Sequence, residues 1–275
     1  SLYSTTDLAT LVMRMKENNP DRVIYLADAR QSMHFIQVFR CARKTGIVPD
    51  TTELVHIGFG TMNGKDGKPF KTRDGGVMRL EYLLKEIDDE MLNKIKENQK
   101  EKENLNIDEA EAEQTAKTVA LAAVKYGDMS SQASKDYIFD IDRFTSFEGN
   151  TGPYILYTIV RIKSILSKYE AKGGDISALK DAIMPAVNAG QKNLMLSLAK
   201  FNATIESAYE ESAPHKICAY IYELANAFNG FYHDTKILSE ENEELKKSYI
   251  SQLVLTKEIL EACIDMLGFS APDRM

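Results

Sequence analysis

The segment HIGFGTMNGKDGKPFKTRDGGVMRLEYLL, residues 56–84, decides how the rest of the chain is interpreted. It begins within an apolar strand, ELVHIG at residues 53–58, and becomes rich in glycine, Lys and Arg before an apolar helix starts. A glycine-rich cationic loop after a strand can offer free backbone N–H groups and mobile positive charge to a polyphosphate. Its cations are Lys65, Lys68, Lys71, Arg73 and Arg79.

An alternative interpretation of this segment is a surface hairpin, because NGKDGK at residues 63–68 is also a strong turn sequence. Composition alone does not separate the two. The residues favour the loop, because HIGFG, GKPFKTRDGG and RLEYLL, in this order, resemble the loop of class I arginyl-tRNA synthetases. Most class I synthetases have KMSK in this loop, whereas residues 70–73 here read FKTR, so the closing lysine is missing.

The resemblance implies specific roles for the residues of this loop. Lys68, Lys71 and Arg73 are the candidates for the catalytic cations that neutralise the phosphates of ATP. The HxGFG part is expected to meet adenine largely through its backbone. The ATP-binding residues implied are His56, Gly58, Phe59, Gly60, Phe70 and Thr72. On residue type alone, His34 and His56 are more typical of structural histidines than of catalytic bases.

Residues 1–58 have the pattern of a β-α-β unit. Apolar spacing predicts a first helix that stops near Asn18, a second that opens at Ser32 or Met33, and strands at residues 23–26 and 54–58. Such a unit predicts a parallel sheet with a right-handed crossover. The fold class we expect is therefore an α/β parallel-sheet domain, partial and Rossmann-like, with ligands at the carboxyl ends of the strands.

The sequence YxxxDLA, followed by DARQSxHF, resembles the arginine-binding part of the same family. Residue by residue, the resemblance places Tyr3, Asp7 and Gln31 in an arginine pocket, with Asp7 facing the guanidinium. A carboxylate is the natural bidentate partner of that group. Two alternatives stay open, namely that Asp7 is only a helix N-cap after two threonines, and that residues 28–31 form a solvated loop.

One motif of class I synthetases is absent from the chain. The family pairs this loop with an upstream HxGH-type motif that also holds the triphosphate, and no such tetrapeptide occurs in the 275 residues. The chain also starts without methionine, in what reads as the middle of a domain. We therefore interpret it as the C-terminal portion of a longer enzyme, and we expect the isolated chain to be inactive or nearly so.

Composition narrows the class of protein. Hydrophobic residues make up 44% and charged residues 27% of the chain, and no run approaches the roughly 20 apolar residues of a membrane span. With no signal peptide, we expect a cytoplasmic protein that binds no membrane. Three well-separated cysteines without CxxC spacing predict buried reduced thiols rather than a disulfide or structural metal. They are Cys41, Cys218 and Cys263.

Charge and composition change along the chain. Residues 1–85 hold 13 Lys and Arg against 9 Asp and Glu, whereas residues 86–275 hold 21 against 32. An acidic second half has the wrong overall sign for a nucleic-acid binder, so any RNA contact there must use a local face and stacking. We expect residues 1–85 to be the end of a nucleotide-binding catalytic domain, 86–128 a helical connector, and 129–275 an all-α bundle.

The second half is helical in pattern. Predicted helices cover residues 154–172, 176–184, 193–210, 215–229 and 241–267. Their apolar stripes are typical of a bundle core. The carboxylate and histidine at ligand-like spacing, Glu211 and His215, straddle Pro214 at a helix start, which disfavours a di-metal bundle.

This half resembles the helical anticodon-binding domain of the same synthetases. The motifs that match in order are DYIFDIDRF (136–144), FEGNTGPYILY (147–157), PHKICAYIYELA (214–225), FNGFYH (228–233) and LGFSAPDRM (267–275). The resemblance implies anticodon contacts at Tyr157, Arg161, Tyr232 and the terminal Met275. Aromatic rings that stack on unpaired bases contribute about 1–3 kcal/mol each. The sequence departs from the family at residues 246–249, KKSY, where an arginine is common.

Together these resemblances predict an arginine–tRNA ligase fragment that attaches arginine to its tRNA through arginyl-adenylate. Its partners are tRNA, arginine and ATP, with Mg²⁺ accompanying ATP, and we expect a monomer. A second hypothesis is a free-standing RNA-binding or interaction module in which the β-α-β unit is merely structural. A third is an unrelated nucleotide-binding transferase.

Overall fold

The structure is a computed structural model that describes residues 2–68, 79–101, 108–179 and 182–275. The chain divides into two compact units, residues 1–69 with 132–138, and residues 70–131 with 139–275. We call them the sheet unit and the helical unit. The functional boundaries predicted at residues 85 and 128 stay predictions.

The sheet unit is built on a β-α-β motif, as the sequence predicts. Its two main strands pair in parallel, from Arg22 opposite Glu53 to Asp28 opposite Phe59. A second, short parallel pair forms between strands that are far apart in sequence. The elements are α1 (Tyr3–Asn18), β1 (Arg22–Asp28), a 3-10 turn (Ala29–Gln31), α2 (Ser32–Lys44), β2 (Glu53–Phe59), β3 (Met62–Asn63) and β4 (Tyr137–Ile138).

The core of the sheet unit is small. Its buried cluster joins α1, β1, α2 and the loop before β2, through Leu11, Val23, Val38, Ala42 and Val48. Along β1, side chains alternate between the two faces of the sheet. Ile24 and Leu26 are therefore 47% and 68% exposed, while Val23 is buried.

The helical unit has a much larger core. Fully buried side chains include Tyr126, Phe228, Phe231 and Ile221. An ion pair between Lys96 and Glu109, 3.5 Å apart, joins the last turns of one helix to the first turn of the next. The helices are α3 (Leu80–Glu101), α4 (Glu109–Met129), α5 (Ile141–Phe144), α6 (Gly152–Ala171), α7 (Ala189–Ala199), α8 (Phe201–Glu210), α9 (Pro214–Asp234) and α10 (Glu243–Met266), with 3-10 turns at Ser177–Leu179 and Ile237–Ser239.

Two helix predictions for this unit are wrong. The helix predicted at residues 176–184 is only a 3-10 turn over Ser177–Leu179, and residues 182–187 have no regular structure. Pro185 disfavours a helical conformation at the residue before it, and the Met184 N–H donates instead to Ser248 Oγ. The predicted helix 193–210 is two helices, α7 and α8, which meet at Lys200.

The cysteine prediction is partly wrong. Cys218 and Cys263 are buried, but Cys41 is exposed. The buried face of α2 carries Val38 and Ala42, one turn apart, so Cys41 lies just off that face. Burial raises the pKa of both Cys218 and Cys263 to about 12, so these two thiols stay protonated at neutral pH.

A helix that crosses a membrane must be both long and strongly apolar. No helix in the described ranges meets these two requirements.

Candidate functional site

Asp7 of the predicted arginine pocket forms a contact between α1 and α2. Its Oδ2 lies 2.6 Å from Nε2 of His34, and both side chains are about a quarter exposed. The helix begins at Tyr3 with Leu2 at the N-cap position, so the alternative of Asp7 as the cap is wrong. Asp7 Oδ1 has no hydrogen-bond partner among the described residues, and the Asp7 side chain is 27% exposed.

Tyr3 and Gln31, the other two predicted pocket residues, lie at the ends of these helices. Tyr3 is one helical turn before Asp7, which puts the two on the same face of α1, and its side chain is 89% exposed. Gln31 ends the 3-10 turn after β1 and is exposed, three residues before His34. Both residues are therefore exposed and close in sequence to one member of the Asp7–His34 pair, and their role in arginine binding stays a prediction.

The role of His34 was missed in the sequence analysis. His34 was expected to be structural, and it does have a satisfied hydrogen bond, but its partner is a predicted ligand-binding carboxylate. His34 therefore positions Asp7. The two residues are 27 positions apart, so no local spacing indicates the pair. The available signal was that His34 lies within the DARQSxHF segment.

The carboxyl end of β1 is occupied by an ion pair within the chain. Asp28 Oδ1 accepts hydrogen bonds from the Arg30 backbone N–H at 2.8 Å and from Arg30 Nε at 2.9 Å, and Oδ2 accepts from Nη2 at 2.6 Å. The hydrogen bonds from the Arg30 side chain lower the pKa of Asp28 to about 2. Residues 29–31 form a capped 3-10 turn in which Arg30 and Gln31 are exposed, which is compatible with the alternative of a solvated loop.

His56, Gly58 and Phe59 lie in the C-terminal half of strand β2, just before the glycine-rich segment. His56 stacks on Phe35 with ring centroids 4.7 Å apart. Its Nε2 is buried and has no hydrogen-bond partner in the part of the chain that is described. Phe59 is 42% exposed at the carboxyl end of β2. The end of the strand therefore carries a partly buried imidazole, packed on Phe35, and an accessible aromatic ring, and the ATP-binding role of these residues stays a prediction.

The backbone N–H groups of Gly60 and Gly64, in the described part of the glycine-rich segment, are already used by the chain itself. Gly60 N–H donates to Ala133 O at 2.8 Å, and Gly64 N–H donates to Lys68 O at 2.8 Å. A Cβ at Gly60 would lie 2.4 Å from the carbonyl carbon of Lys135, so Gly60 permits a close crossing of two chain segments. The expectation of free N–H groups for a phosphate is wrong for Gly60 and Gly64.

Residues 64–68 form the turn that their composition predicts. Gly67 has a φ of +71°, its N–H donates to Gly64 O at 2.9 Å, and the Lys68 N–H donates to Asp66 Oδ1 at 3.1 Å. The side chain of Lys68 is exposed at the end of this turn. The other predicted loop residues, Phe70, Lys71, Thr72 and Arg73, lie outside the described residues.

A tyrosine–arginine cluster lies at the surface of the helical unit, between α6 and α9. The Arg161 guanidinium lies over the rings of Tyr157 and Tyr232, 4.7 and 5.6 Å from their centroids. Tyr232 also stacks on Phe228, at 5.9 Å and 22°, and is 41% exposed. The structure therefore brings together three of the four predicted RNA-binding residues, and the Tyr232 side chain is partly exposed at the surface.

Asn229 fixes this cluster and was not predicted. Arg161 Nη1 donates to Asn229 Oδ1 at 2.9 Å, while Asn229 Nδ2 donates to Tyr154 Oη at 2.9 Å. Burial raises the pKa of Tyr154, so its hydroxyl stays protonated and can donate in turn to Asn226. Asn229 lies inside the FNGFYH motif that was quoted for the resemblance, which is the signal that could have identified it.

The C-terminal segment, which carries Met275, is held by two basic side chains. Lys163 Nζ lies 3.3 Å from Asp273 Oδ1, and Arg274 Nε donates to Glu111 Oε1 at 2.5 Å. These contacts fix the backbone next to Met275. The role of Met275 in RNA binding stays a prediction.

Of the carboxylate and histidine at ligand-like spacing, Glu211 is engaged by a neighbouring lysine. Lys216 forms an ion pair with Glu211 and lowers its pKa. The residues that the structure describes contain no group of three His, Cys, Asp or Glu side chains able to hold a metal ion.

Comparison with known proteins gives two family matches. The model described as "tRNA synthetases class I (R), catalytic domain" matches residues 1–141. The model described as "DALR anticodon binding domain" matches residues 155–275. The two matches follow each other along the chain in the order of the sequence-based resemblances.

Individual relatives agree with these matches. An arginine–tRNA ligase of Agathobacter rectalis is 99% identical over 275 residues, which is 100% of this chain and 46% of the relative. An arginine–tRNA ligase of Alkaliphilus oremlandii is 54% identical over 100% of this chain and 45% of its own length. The crystal structure of arginyl-tRNA synthetase from Plasmodium falciparum superposes with a TM-score of 0.81 at 27% identity, over 99% of this chain and 44% of that one. The chain thus spans a little under half the length of these relatives.

Proposed function

Because the chain belongs to the family of class I arginyl-tRNA synthetases, we propose that it is the C-terminal part of an arginine–tRNA ligase. The observation that carries the proposal is the ordered pair of matches, catalytic domain and then anticodon-binding domain. In the proposed reaction, an arginine carboxylate oxygen attacks the α-phosphate of ATP and displaces pyrophosphate. A ribose hydroxyl at the end of the tRNA then attacks the arginyl-adenylate carbonyl and displaces AMP.

The sheet unit is proposed to bind arginine at the exposed ends of α1 and α2. Asp7 is oriented by His34 through Oδ2, which leaves Oδ1 to accept a guanidinium N–H. Tyr3 lies one turn before Asp7 on α1, and Gln31 lies three residues before His34. A guanidinium paired with a carboxylate gives charge-assisted hydrogen bonds, and this pairing would select arginine over neutral amino acids.

ATP is proposed to bind at the carboxyl end of β2. His56, Gly58, Phe59 and Gly60 lie there or directly after it, and exposed Lys68 follows at the end of its turn. Because the N–H groups of Gly60 and Gly64 are used internally, neutralisation of the phosphates falls to cationic side chains. Lys68, Lys71 and Arg73 are the proposed catalytic cations, with Phe70 and Thr72 as further ATP contacts.

Mg²⁺ is expected to accompany ATP in such a reaction. The described residues offer it no cluster of protein ligands, and the nearest strand-end carboxylate, Asp28, is taken by Arg30.

The helical unit is proposed to bind the tRNA anticodon. Support comes from the tyrosine–arginine cluster, where the Tyr232 side chain is 41% exposed and Arg161 adds positive charge in an acidic half of the chain. Stacking on aromatic rings does not need a positive surface. Tyr157, Arg161, Tyr232 and Met275 are the proposed contacts, with Asn229 as the residue that positions Arg161.

Anticodon stem-loop RNAs test this assignment directly. The 275-residue chain is expected to bind stem-loops from arginine-accepting tRNAs more tightly than stem-loops with other anticodons. Tyr232→Ala should weaken binding by about 5- to 150-fold, which corresponds to the 1–3 kcal/mol of one stack. Tyr209→Ala on α8, where the ring is also exposed, is the matched control. Equal binding of all stem-loops would refute the anticodon assignment.

A second measurement separates the ligase from a free-standing RNA-binding module. We propose that the 275-residue chain alone gives no arginine-dependent exchange between ATP and pyrophosphate, because it contains no HxGH tetrapeptide. The longer protein that carries this segment should catalyse the arginine-dependent exchange between ATP and pyrophosphate. We propose that this longer protein is a cytoplasmic monomer. A longer protein that binds stem-loops but exchanges no pyrophosphate would favour the RNA-binding module.

A further inference from the structure

Basic side chains on the helical unit fall into two groups. Many are neutralised by carboxylates, such as Lys163 by Glu261 at 3.3 Å and Lys247 by Glu244 at 2.9 Å. A second group forms no ion pair with any residue in the described ranges. Its members near the tyrosine–arginine cluster are Arg161, Lys168, Lys172 and Lys236. These four cations lie near the tyrosine–arginine cluster in a half of the chain with excess negative charge.

Three of these cations form a row on one face of α6. At about 100° per residue, Tyr157, Arg161, Lys168 and Lys172 fall within about 60° of one another around the helix axis. The row extends for about 22 Å at 1.5 Å per residue. It begins at Tyr157 and ends at Lys172, the C-cap residue of α6. We call it the α6 cationic row.

A cleft borders this row and shares a wall with the tyrosine–arginine cluster. It has a volume of about 540 Å³ and lies between α6 and the segment that follows α9. Tyr232 belongs to both the cluster and the cleft, and Lys168 and Lys236 line the cleft from opposite elements. The carboxylate among the lining residues, Asp234, has its Oδ1 2.9 Å from His233 Nδ1. The remaining lining residues are Ile165, Thr235, Ile237, Leu238 and Ser239.

We propose that the α6 cationic row and Lys236 bind the phosphate backbone of the RNA strand whose unpaired base stacks at Tyr232. The inference rests on the proposed anticodon binding and adds the direction in which the strand leaves the cluster, along α6 toward Lys172. Lysine ammonium groups suit this task, because they act as point charges that contact phosphates without reading a base. At about 3.4 Å of rise per stacked nucleotide, 22 Å accommodates about six nucleotides.

Salt dependence of RNA binding distinguishes phosphate contacts from stacking. The double variant Lys168→Ala, Lys236→Ala is expected to lower the slope of log Kd against log salt by about 1.4 to 1.8, since each phosphate that a lysine no longer neutralises lowers it by about 0.7 to 0.9. The weakening should be the same for stem-loops of any anticodon. The probe is the anticodon stem-loop of an arginine-accepting tRNA with the full 275-residue chain.

The matched control removes two lysines that are already neutralised. Lys200 pairs with Glu223 at 3.7 Å and Lys247 pairs with Glu244, so the double variant Lys200→Ala, Lys247→Ala should leave the slope unchanged. Asp234→Asn, which removes the carboxylate from the cleft, should tighten binding several-fold at low salt.

The outcomes separate this inference from the proposed function. If the wild-type chain binds stem-loops and Tyr232→Ala weakens binding, while the Lys168 and Lys236 variant keeps the wild-type slope, the cationic row is not a phosphate site and the inference is overturned. Equal slope changes in both double variants would also overturn it, because the effect would then be one of net charge. A wild-type chain that binds no stem-loop refutes the proposed function itself.

Discussion

The sheet unit and the helical unit hold their candidate sites by different means. In the sheet unit, polar pairs hold the site residues, Asp7 with His34 and Asp28 with Arg30, above a small apolar cluster. In the helical unit, Phe228 is fully buried beneath Tyr232 and the cluster stands on the main core. Because local stability follows the number of buried apolar contacts, the sheet unit should be the more easily opened of the two.

The largest expected effect comes from core truncation, with one fully buried leucine in each unit. Leu260→Ala in α10 should lower the free energy of unfolding of the helical unit by about 2–5 kcal/mol, through reduced burial and a cavity. Leu11→Ala should lower the free energy of unfolding of the sheet unit by a similar amount. Because the core of that unit is small, this loss should abolish the protection of its amides from exchange. Hydrogen exchange of the β1–β2 and the α6, α9 and α10 amides measures both. Wild-type β1–β2 amides that exchange as slowly as those of α9 would refute the comparison.

A pair of glycines in the helical unit provides the next test. A Cβ at Gly152 would lie 2.3 Å from the carbonyl oxygen of Ala122, so Gly152→Ala should force α6 away from α4 and destabilise the unit by about 1–3 kcal/mol. Gly230 in α9 has no atom within 4 Å of the same position. Gly230→Ala should therefore stabilise by about 0.5–1 kcal/mol through helix propensity. Urea unfolding followed by circular dichroism measures both variants, and equal effects would contradict the tight α4–α6 approach.

The buried tyrosine of α4 tests the polar part of the same core. Tyr126 Oη donates to Cys218 O at 2.8 Å and lies 2.6 Å from Asn150 Oδ1. Tyr126→Phe should cost about 1–2 kcal/mol in urea unfolding, because a buried acceptor loses its partner. The control, Tyr82→Phe, removes a hydroxyl from an exposed ring and should change stability by less than about 0.5 kcal/mol. A Tyr126→Phe variant as stable as the wild type would mean that water replaces the hydroxyl.

The smallest effect is on the pH dependence of the sheet unit. Arg30 holds the pKa of Asp28 at about 2, below the value of about 3.9 in an unfolded chain. The contribution of this pair is therefore present above about pH 4 and is lost as pH falls toward 2. In Arg30→Gln the pKa of Asp28 should rise toward 3.9, as carbon-13 NMR of the carboxyl can show. The pKa of Asp175, lowered by Ser177, should not move. A wild-type Asp28 that titrates near 3.9 would contradict the ion pair.

Sequence periodicity predicts the elements of both units well where the apolar pattern is strong. The parallel strands β1 and β2, and helices such as α9 and α10, lie close to their predicted positions. The pattern fails at Lys200, where one residue separates two helices without any Gly or Pro to mark the break. It also fails at residues 176–184, because a pairing of Met184 with distant Ser248 replaces a helical bond.

The sites were predicted only as far as residue identity allows. The family resemblance named Tyr157, Arg161 and Tyr232, and the structure brings these three together. The contacts that orient the predicted site residues were not predicted. Asn229 contacts Arg161 and His34 contacts Asp7, across 68 and 27 positions of sequence. Likewise, the glycine-rich composition after β2 does not show which backbone N–H groups form hydrogen bonds within the chain. Gly60 donates to Ala133, which no local pattern indicates.

The crossing at Gly60 has a consequence for the order in which the protein is made. The sheet unit needs residues 132–138, whose strand β4 pairs with β3, yet residues 70–131 belong to the helical unit. At about 5–20 residues per second, a ribosome needs about 3–12 s to synthesise the intervening stretch. During that interval β3 has emerged without its partner, so the nascent chain carries an unpaired strand edge until the second segment arrives.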